Sequence, residues 1–426
     1  MQYRPRALPR LLSAHLPFYY GWVVLACVCL AGFSRQGPAV ATLSVFVTPM
    51  TEAFGWSRTA LSGAVSLGGL LAAIASPFLG PFLDRNGARA VLTFAVIGSG
   101  VAAILLSLTP SLLVFYVLFC FARMTFAGPY DLGIYGAINN WFVRRRAFAT
   151  SIATLAQMGG LMAMPLIAHF AISAADWRAG WVAVGLTVLT VGLLPVWFLL
   201  VRRPEDLGLR PDGDIAPVRE DGSARPAAVE EPAFTRREAL RTRTFWLLAL
   251  FTLLVYPIQA GISLHQVPFL IERGLDATVA ATVVSTFSLF SAISGLAYGF
   301  WPRSVETRFA LLSVALVLAS SALCLLAVSS AVEAYLGAAL FGIGIGGLLT
   351  MLPLAWADYF GRRSFGAIRG AALTVQVLAQ ASGPLLSGVL RDLSGSYELS
   401  LETFAVLGVA GAVVTFLVRP PRHSDQ

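Results

Sequence analysis

Apolar stretches of about 20 residues recur along the chain, and short polar segments separate them. A helix rises about 1.5 Å per residue, so about 20 residues cross a hydrocarbon core of roughly 30 Å. The predicted spans are about 19–46, 58–80, 90–109, 112–139, 147–172, 179–201, 244–269, 277–300, 308–329, 334–357, 366–389 and 401–418. The stretches lack the alternating strands of about 10 residues that build membrane barrels. The pattern predicts an all-α membrane protein with twelve transmembrane helices.

One long polar segment interrupts the pattern. From Arg202 to Arg243 the chain carries nine arginines and nine acidic residues among scattered prolines and glycines. Low hydrophobicity with balanced charge predicts a solvated, partly disordered linker. We therefore expect three parts, which are an N-terminal six-helix bundle (1–201), a cytoplasmic linker (202–243) and a C-terminal six-helix bundle (244–426).

The two predicted bundles carry related sequences. The segment 141–145 reads WFVRR and precedes the fifth span, and the segment 359–363 reads YFGRR and precedes the eleventh. A parallel repeat of six-helix halves is typical of transporters that rock about a site between the halves.

The charged residues indicate how the chain is oriented. Only 12% of the residues are charged against 57% hydrophobic, and all 30 basic residues are arginines. Placing both termini and the linker in the cytoplasm puts 24 arginines on that side and four, at 58, 178, 273 and 391, on the other. This satisfies the positive-inside rule, so we interpret the basic charge as a topology signal and not as a nucleic-acid site. We expect a multi-pass protein of the cell membrane, the bacterial inner membrane in particular.

The residue types that carry enzyme chemistry are scattered. The cysteines are at 27, 29, 120 and 324 within apolar spans, and the histidines are at 15, 169, 265 and 423. Neither set has the spacing of a metal site, and no Gly-rich phosphate loop precedes a Lys-Ser/Thr pair. We expect no enzyme activity, no catalytic or metal-binding residue, no cofactor and no ATP-binding subunit.

Arginines inside the spans are the main candidates for chemistry. A charge at mid-membrane costs at least about 2.5–3.5 kcal/mol, so Arg35 and Arg123 should face a wet cavity or the bundle interior. A guanidinium holds a carboxylate through two parallel hydrogen bonds, which predicts that both residues contact an anionic substrate. Two alternatives stay open: Arg35 reaches the outer interface, or Arg123 forms a structural ion pair.

Titratable and neutral polar residues complete the candidate site. Asp131 and His265 are candidates for proton coupling. The alternatives are a charge at the cytoplasmic mouth for Asp131 and a hydrogen-bonded interface histidine for His265. Arg369, near the start of the eleventh span, is interpreted as a topology charge. Further candidates for substrate contact, or else for ties between helices, are Tyr135, Gln259, Gln376 and Gln380.

The loop after the second span resembles a family signature. Its residues 80–89 read GPFLDRNGAR and are similar to the Gly-x-x-x-Asp-Arg-x-Gly-x-Arg motif of the major facilitator superfamily. The resemblance implies the twelve-helix major facilitator fold and a loop that latches the halves on the cytoplasmic side. The second copy, at 299–303, lacks the aspartate. The residues assigned to the latch are Gly80, Asp84, Arg85, Gly87, Arg89, Arg144 and Arg145.

Further stretches resemble the monocarboxylate transporter and oxalate/formate antiporter branch of that superfamily. They are YGW at 20–22 with GFS at 32–34 and Pro38, WFVRRR at 141–146, YFGRR at 359–363, and GPLLSG at 383–388 followed by Asp392 and GSY at 395–397. The resemblance implies alternating-access transport of a small organic anion, a monocarboxylate in particular, by proton symport or by antiport with a counter-anion. Two positions depart from the branch, because its lysine after the proline falls on Ala39 and its Asp/Arg pair falls near Ser291.

Two other functions stay open. Efflux of a hydrophobic, drug-like solute would fit the scaffold, but exporters of cations need several buried acids. A membrane sensor that does not transport would fit as well, although the chain contains no obvious soluble effector domain.

Overall fold

The computed structural model describes residues 7–213, 232–302 and 304–421, and no strand occurs in these ranges. The helices are α1 (Ala7–His15), α2 (Gly21–Ser34), α3 (Val40–Phe54), α4 (Arg58–Leu106), α5 (Leu112–Ala127), α6 (Pro129–Trp141), α7 (Arg146–Ala174), α8 (Trp177–Thr187), α9 (Leu194–Leu199), α10 (Arg236–Arg241), α11 (Arg243–Glu272), α12 (Ala277–Gly299), α13 (Thr307–Leu326), α14 (Ala331–Phe360), α15 (Phe365–Ser394) and α16 (Glu398–Leu417). A π-helix, Val188–Leu193, joins α8 to α9, and single 3₁₀ turns occupy Pro204–Leu207 and Pro211–Gly213. The all-α fold predicted from the sequence is confirmed.

The number of spans is consistent with twelve once two helices are assigned correctly. Ten helical stretches of the described ranges are long and apolar enough to cross a membrane, with α5 and α6 counted as one stretch and α8, the π-helix and α9 as another. The first predicted span is divided into α2 and α3, because Pro38 has no N–H to donate and disfavours helical backbone at Gly37. The second and third predicted spans are two helices that meet within α4 at Gly87, where a φ of 81° and a ψ of 166° break the helical backbone. Counting α2 with α3 as one crossing and α4 as two gives twelve.

The chain folds into two compact units. Unit 1 contains Met1–Thr235 and Phe360–Ala371, and unit 2 contains Arg236–Tyr359 and Ala372–Gln426. The first turns of α15 therefore belong to unit 1. Part of the predicted linker, 214–231, lies outside the described residues, and the division into two bundles and a linker stays a prediction.

Unit 1 is built around α6. Every residue of this helix except Asn140 is buried. The helix packs against α4, α2, α5 and α7, and α4 also packs against α8. Aromatic stacking fills the gaps, as where Phe46 lies flat on Trp181 with ring centroids 3.9 Å apart. A charged side chain on α6 consequently has little access to water and needs a partner.

Unit 2 packs through small residues. Helix α16 lies against α13 and α11, and α11 lies against α12. A Cβ at Gly383 would collide with the carbonyl group of Pro257, and a Cβ at Gly408 would press on Ala319. Close approach of helix backbones at such residues is common in membrane bundles.

Candidate functional site

The site in unit 1 begins at a break between two helices. Helix α5 ends at Ala127 and α6 begins at Pro129, so Gly128 leaves the helical conformation. The last carbonyl groups of a helix have no partner within it. Arg35, just after α2, donates a hydrogen bond from Nε to the carbonyl oxygen of Phe126 at 2.9 Å.

The other nitrogens of Arg35 also have partners in unit 1. Nη1 donates to Oε1 of Gln157 on α7 at 2.8 Å, and Nη2 lies 3.7 Å from Oδ2 of Asp131 on α6. The side chain of Arg35 is only 12% exposed. Arg35 therefore belongs to the interior of unit 1, and the alternative that it reaches the membrane interface is wrong.

A second arginine shares the same carboxylate. Arg369 donates from Nη2 to Oδ1 of Asp131 at 3.1 Å, and the two side chains are 1% and 5% exposed. Its guanidinium lies 5.9 Å from the centre of the buried Tyr135 ring. The interpretation of Arg369 as a topology charge is wrong, because its side chain is buried against an acid. Asp131 is held between two guanidinium groups, and its role in proton coupling stays a prediction.

Arg123 lies beside this group without an acid of its own. Its guanidinium carbon is 4.2 Å from the centre of the Phe126 ring, and that of Arg35 is 4.5 Å from the same centre. In the described part of the chain, the buried Nε and Nη1 atoms of Arg123 have no hydrogen-bond acceptor. Buried donors of this kind are costly unless an acceptor arrives. An anion would provide one.

The predicted latch lies at the start of α15. Asp84 accepts hydrogen bonds from the backbone N–H groups of Gly366 and Ala367, each at 2.8 Å. The first N–H groups of a helix lack internal partners and carry a partial positive charge, so a carboxylate there is stabilising. A Cβ on Gly80 would collide with the carbonyl group of Gly366.

The remaining signature residues surround this contact. Gly87 has φ of 81°, a conformation that glycine adopts most easily, and the methylene groups of Arg202 cover it. Arg202 also donates from Nη2 to the carbonyl oxygen of Asp84 at 2.7 Å. The side chain of Arg85 is exposed, and that of Arg89 is partly buried.

Arg144 and Arg145 lie at a different helix start, that of α7. Their backbone N–H groups donate to the carboxylate of Asp212 at 2.6 and 3.0 Å, and the N–H of Val143 does so at 3.0 Å. The guanidinium of Arg145 covers the ring of Trp22 at 5.6 Å. These two arginines thus contribute mainly backbone groups to an aspartate of the predicted linker.

The other candidates are in unit 2. Gln380 donates from Nε2 to Oε1 of Gln259 at 3.1 Å, and Gln376 is 8% exposed. The ring of His265 lies 5.2 Å from that of Tyr397. Within the ranges described, His265 Nδ1 has no hydrogen-bond partner, and the histidine lines a small cavity of unit 2.

Sequence reasoning missed three contributors to the cluster in unit 1. Phe126 is an ordinary residue of an apolar span, whereas Gln157 is an amide inside such a span and carried the same signal as Gln259, Gln376 and Gln380. Arg369 had a usable signal, because it follows the start of the predicted eleventh span and is flanked by small and apolar residues. No group of three or more His, Cys, Asp or Glu side chains among the described residues could hold a metal ion.

Comparison with known proteins places these contacts in context. The sequence profile described as Major Facilitator Superfamily matches residues 24–376. The membrane sensor protein UhpC of Salmonella typhimurium is 30% identical over 227 residues, which are 51% of this chain and 50% of the sensor. The chain therefore spans about half the length of that relative.

Two further similarities extend over most of the chain. The oxalate:formate antiporter of Oxalobacter formigenes is 24% identical over 88% of this chain and 88% of its own length. The crystal structure of the human organic anion transporter MFSD10 (TETRAN) superposes with a TM-score of 0.71 at 17% identity. That match covers 93% of this chain and 99% of the human one, and at this identity it supports the fold alone.

Proposed function

This chain belongs to the Major Facilitator Superfamily of membrane transporters, and from this premise we propose that it moves a small organic anion across the cell membrane by alternating access. The resemblance to the monocarboxylate transporter and oxalate/formate antiporter branch favours a carboxylate as substrate, a monocarboxylate in particular. The membrane that we propose is the bacterial inner membrane, with both termini in the cytoplasm.

The observation that best supports the proposal is that two hydrogen-bond donors of Arg123 are buried without an acceptor in the ranges that the structure describes. Buried guanidinium groups are normally paired, yet its Nε and Nη1 atoms have no acceptor among the described residues. The neighbouring Arg35 already uses neutral acceptors and one distant carboxylate. A carboxylate that binds here would satisfy the unused donors with charge-assisted hydrogen bonds.

The same cluster argues against efflux of a hydrophobic cation. Such a solute needs a buried acid that is free to pair with it. Asp131 is the one acid well inside the predicted spans, and two arginines already hold it. A cation would therefore have to displace a guanidinium from its partner, which is strongly unfavourable in a buried setting.

We propose that coupling is to a proton or to a counter-anion. Protonation of Asp131 would remove the ionic partner of Arg369 and Arg35, so this residue is the first candidate for a proton carrier. His265 is the second. The start of α15, held by Asp84, is proposed to be released when the transporter changes state, as the family latch implies. A ligand shifts such an equilibrium only by its differential affinity for the two states.

Uptake into proteoliposomes tests the proposal. The purified protein should accumulate at least one short carboxylate from a panel, and each acid is assayed with and without an imposed pH gradient. Stimulation by the gradient would assign proton coupling, and stimulation by carboxylate loaded inside the vesicles would assign exchange. Failure of the whole panel under both conditions would contradict an organic-anion transporter.

A second candidate is a sensor on the same scaffold, and the match to the sensor UhpC over half of the chain favours it. A sensor should bind an anion without net movement or exchange. Saturable binding to the purified protein, combined with no uptake and no exchange in proteoliposomes, would support this candidate over transport.

A further inference from the structure

The interior of unit 1 carries more positive charge than one carboxylate can balance. When the two residues at each end of every predicted span are left out, the spans contain four charged side chains, which are Arg35, Arg123, Asp131 and Arg369. All four lie in unit 1. Three guanidinium groups against one carboxylate leave an excess of two positive charges. No acid within the remaining length of any predicted span offsets this excess.

The contacts show where the excess resides. Asp131 lies closest to Arg369, at 3.1 Å, and contacts Arg35 less closely, at 3.7 Å. The remaining acceptors of Arg35 are a carbonyl group and an amide, which are neutral and do not cancel its charge. Arg123 has no acid in contact among the described residues. The excess is therefore centred on Arg35 and Arg123.

These two guanidinium groups lie on one ring, so their carbons are at most about 9 Å apart. Both lie against the same ring, that of Phe126, within 4.5 Å of its centre. The ring attracts each cation but cannot relieve the repulsion between them. A monoanion would leave one of the two charges unbalanced in a poorly hydrated interior, where an unpaired charge is expensive.

We propose that the substrate is a small dianion, a dicarboxylate with a short spacer, whose carboxylates pair with Arg35 and Arg123. This inference rests on the proposed transport of an organic anion and narrows it to acids with two charges, in place of the monocarboxylate proposed above. It makes Arg123 the residue that selects for the second charge, because Arg123 is the guanidinium without an internal carboxylate.

Matched acids test this directly. Binding to the purified full chain is measured by calorimetry near pH 7.5 for oxalate against acetate, malonate against propionate and succinate against butyrate. Within each pair the carbon count is the same and the charge differs. At least one diacid should bind ten or more times tighter than its partner, with one molecule per chain.

The variant Arg123→Gln sharpens the test. It should reduce the affinity for the preferred diacid at least tenfold and abolish the preference for the diacid over the matched monoacid. The control is Arg178→Gln, which removes an arginine whose side chain is 52% exposed and should change neither affinity.

The possible outcomes separate the two proposals. If monoacids bind as tightly as diacids, or if two monoacids bind per chain, the dianion is wrong while the organic-anion function stands. If sulfate binds tighter than every diacid, the dicarboxylate is wrong. If no anion binds, the proposed function itself fails.

A different observation, at the start of α7, supports a second inference. Asp212 is the one residue other than glycine with positive φ in the described ranges, at 59°. Such backbone is unfavourable and persists only where other contacts impose it. Here the contacts are the three hydrogen bonds that its carboxylate accepts from residues 143–145.

The helices that follow the two repeated segments are each held by an aspartate, but not at equivalent positions. Asp84 comes from the signature loop, whereas Asp212 comes from the linker. Gly366 and Ala367 correspond to Phe148 and Ala149, whereas Asp212 binds the residues 143–145 that precede α7. We infer that Asp212, through these three hydrogen bonds and its strained backbone, fastens the first stretch of the linker to the connection between α6 and α7.

Hydrogen exchange of the full-length protein tests this inference. In Asp212→Asn, amide exchange in peptides that cover 143–145 should become at least ten times faster, and Asp212→Glu, which keeps the charge, should be intermediate. The control Asp206→Asn removes another linker acid, which bonds only within its own turn through the N–H of Arg203. The inference would be overturned if amide exchange at 143–145 did not change in Asp212→Asn. It would also be overturned if the control variant accelerated that exchange equally.

Discussion

The interiors of the two units differ in kind. Unit 1 contains a cluster of four charged side chains around α6, whereas the candidates of unit 2 are three glutamines and a histidine, and Gln259 and Gln380 pair with each other. A neutral hydrogen bond contributes about 0.5–1.5 kcal/mol, and a buried charge that loses its partner costs about 3–5 kcal/mol. The difference teaches that binding strength should reside in the charged cluster of unit 1.

The largest effect should follow from removal of an arginine of unit 1. Arg123→Ala and Arg35→Ala should each reduce affinity by about 10²–10³, enough to abolish uptake, without preventing membrane insertion. The lysine variants keep the positive charge but lose the planar guanidinium with its paired N–H donors, so their uptake should lie between that of the wild type and that of the alanine variants. Initial uptake rates at several substrate concentrations measure the loss of affinity in each variant. If both alanine variants take up substrate at nearly the wild-type rate, the charged cluster of unit 1 does not determine binding strength.

The second effect concerns stability. Asp131→Asn takes the shared carboxylate from Arg35 and Arg369 and should lower the free energy of unfolding by about 3–5 kcal/mol. The control Asp176→Asn alters an acid that is 49% exposed and pairs with Arg178 at 3.8 Å, so less than about 1 kcal/mol is expected. Thermal unfolding in detergent compares the variants, and equal shifts would show that the buried cluster is not special.

The third effect is kinetic. Asp84→Asn weakens the charged cap on α15, and a hydrogen bond to a charged group contributes about 1.5–3 kcal/mol. We expect turnover to fall about tenfold while substrate affinity changes little, because the cap contacts neither Arg35 nor Arg123 and acts on the equilibrium between the two states. Counterflow assays measure the turnover rate, and equilibrium binding measures the substrate affinity, so the two effects can be separated. A loss of affinity with normal turnover would assign Asp84 to the binding site.

The smallest effect should come from unit 2. Gln380→Ala removes a neutral hydrogen bond from an exposed side chain, so affinity should change less than about threefold. The matched change in unit 1 is Gln157→Ala, which frees Arg35 Nη1 and should be clearly larger. If the two glutamine variants behave alike in equilibrium binding, the assignment of binding strength to unit 1 is wrong.

The sequence predicts the fold well because hydropathy is a local property. Runs of apolar residues place the helices to within a few residues, and Pro38 explains why α2 and α3 are separate. The break between the second and third spans was predictable as well, because Gly87, where the helical backbone of α4 is interrupted, lies in the polar connection between 58–80 and 90–109.

The site is only partly predictable from the sequence, because some of its residues are recognised only by the tertiary contacts that they make. Arg35, Arg123 and Asp131 stand out because charges inside apolar spans are rare. Arg369 was misread because the positive-inside rule explains any arginine near the end of a span, and its burial depends on Asp131, 238 residues away in the sequence. Asp212 offered no signal, since it is one of nine acids in the linker.

The most direct test of the account is a thermal-shift titration of the wild type, Arg35→Ala and Arg123→Ala with the acid that the panel identifies. The account predicts that the acid stabilises the wild type in a saturable way and stabilises neither alanine variant over the same concentration range. If the acid stabilises both variants as well as it does the wild type, neither arginine is the partner of the substrate, and the anion site in unit 1 is contradicted.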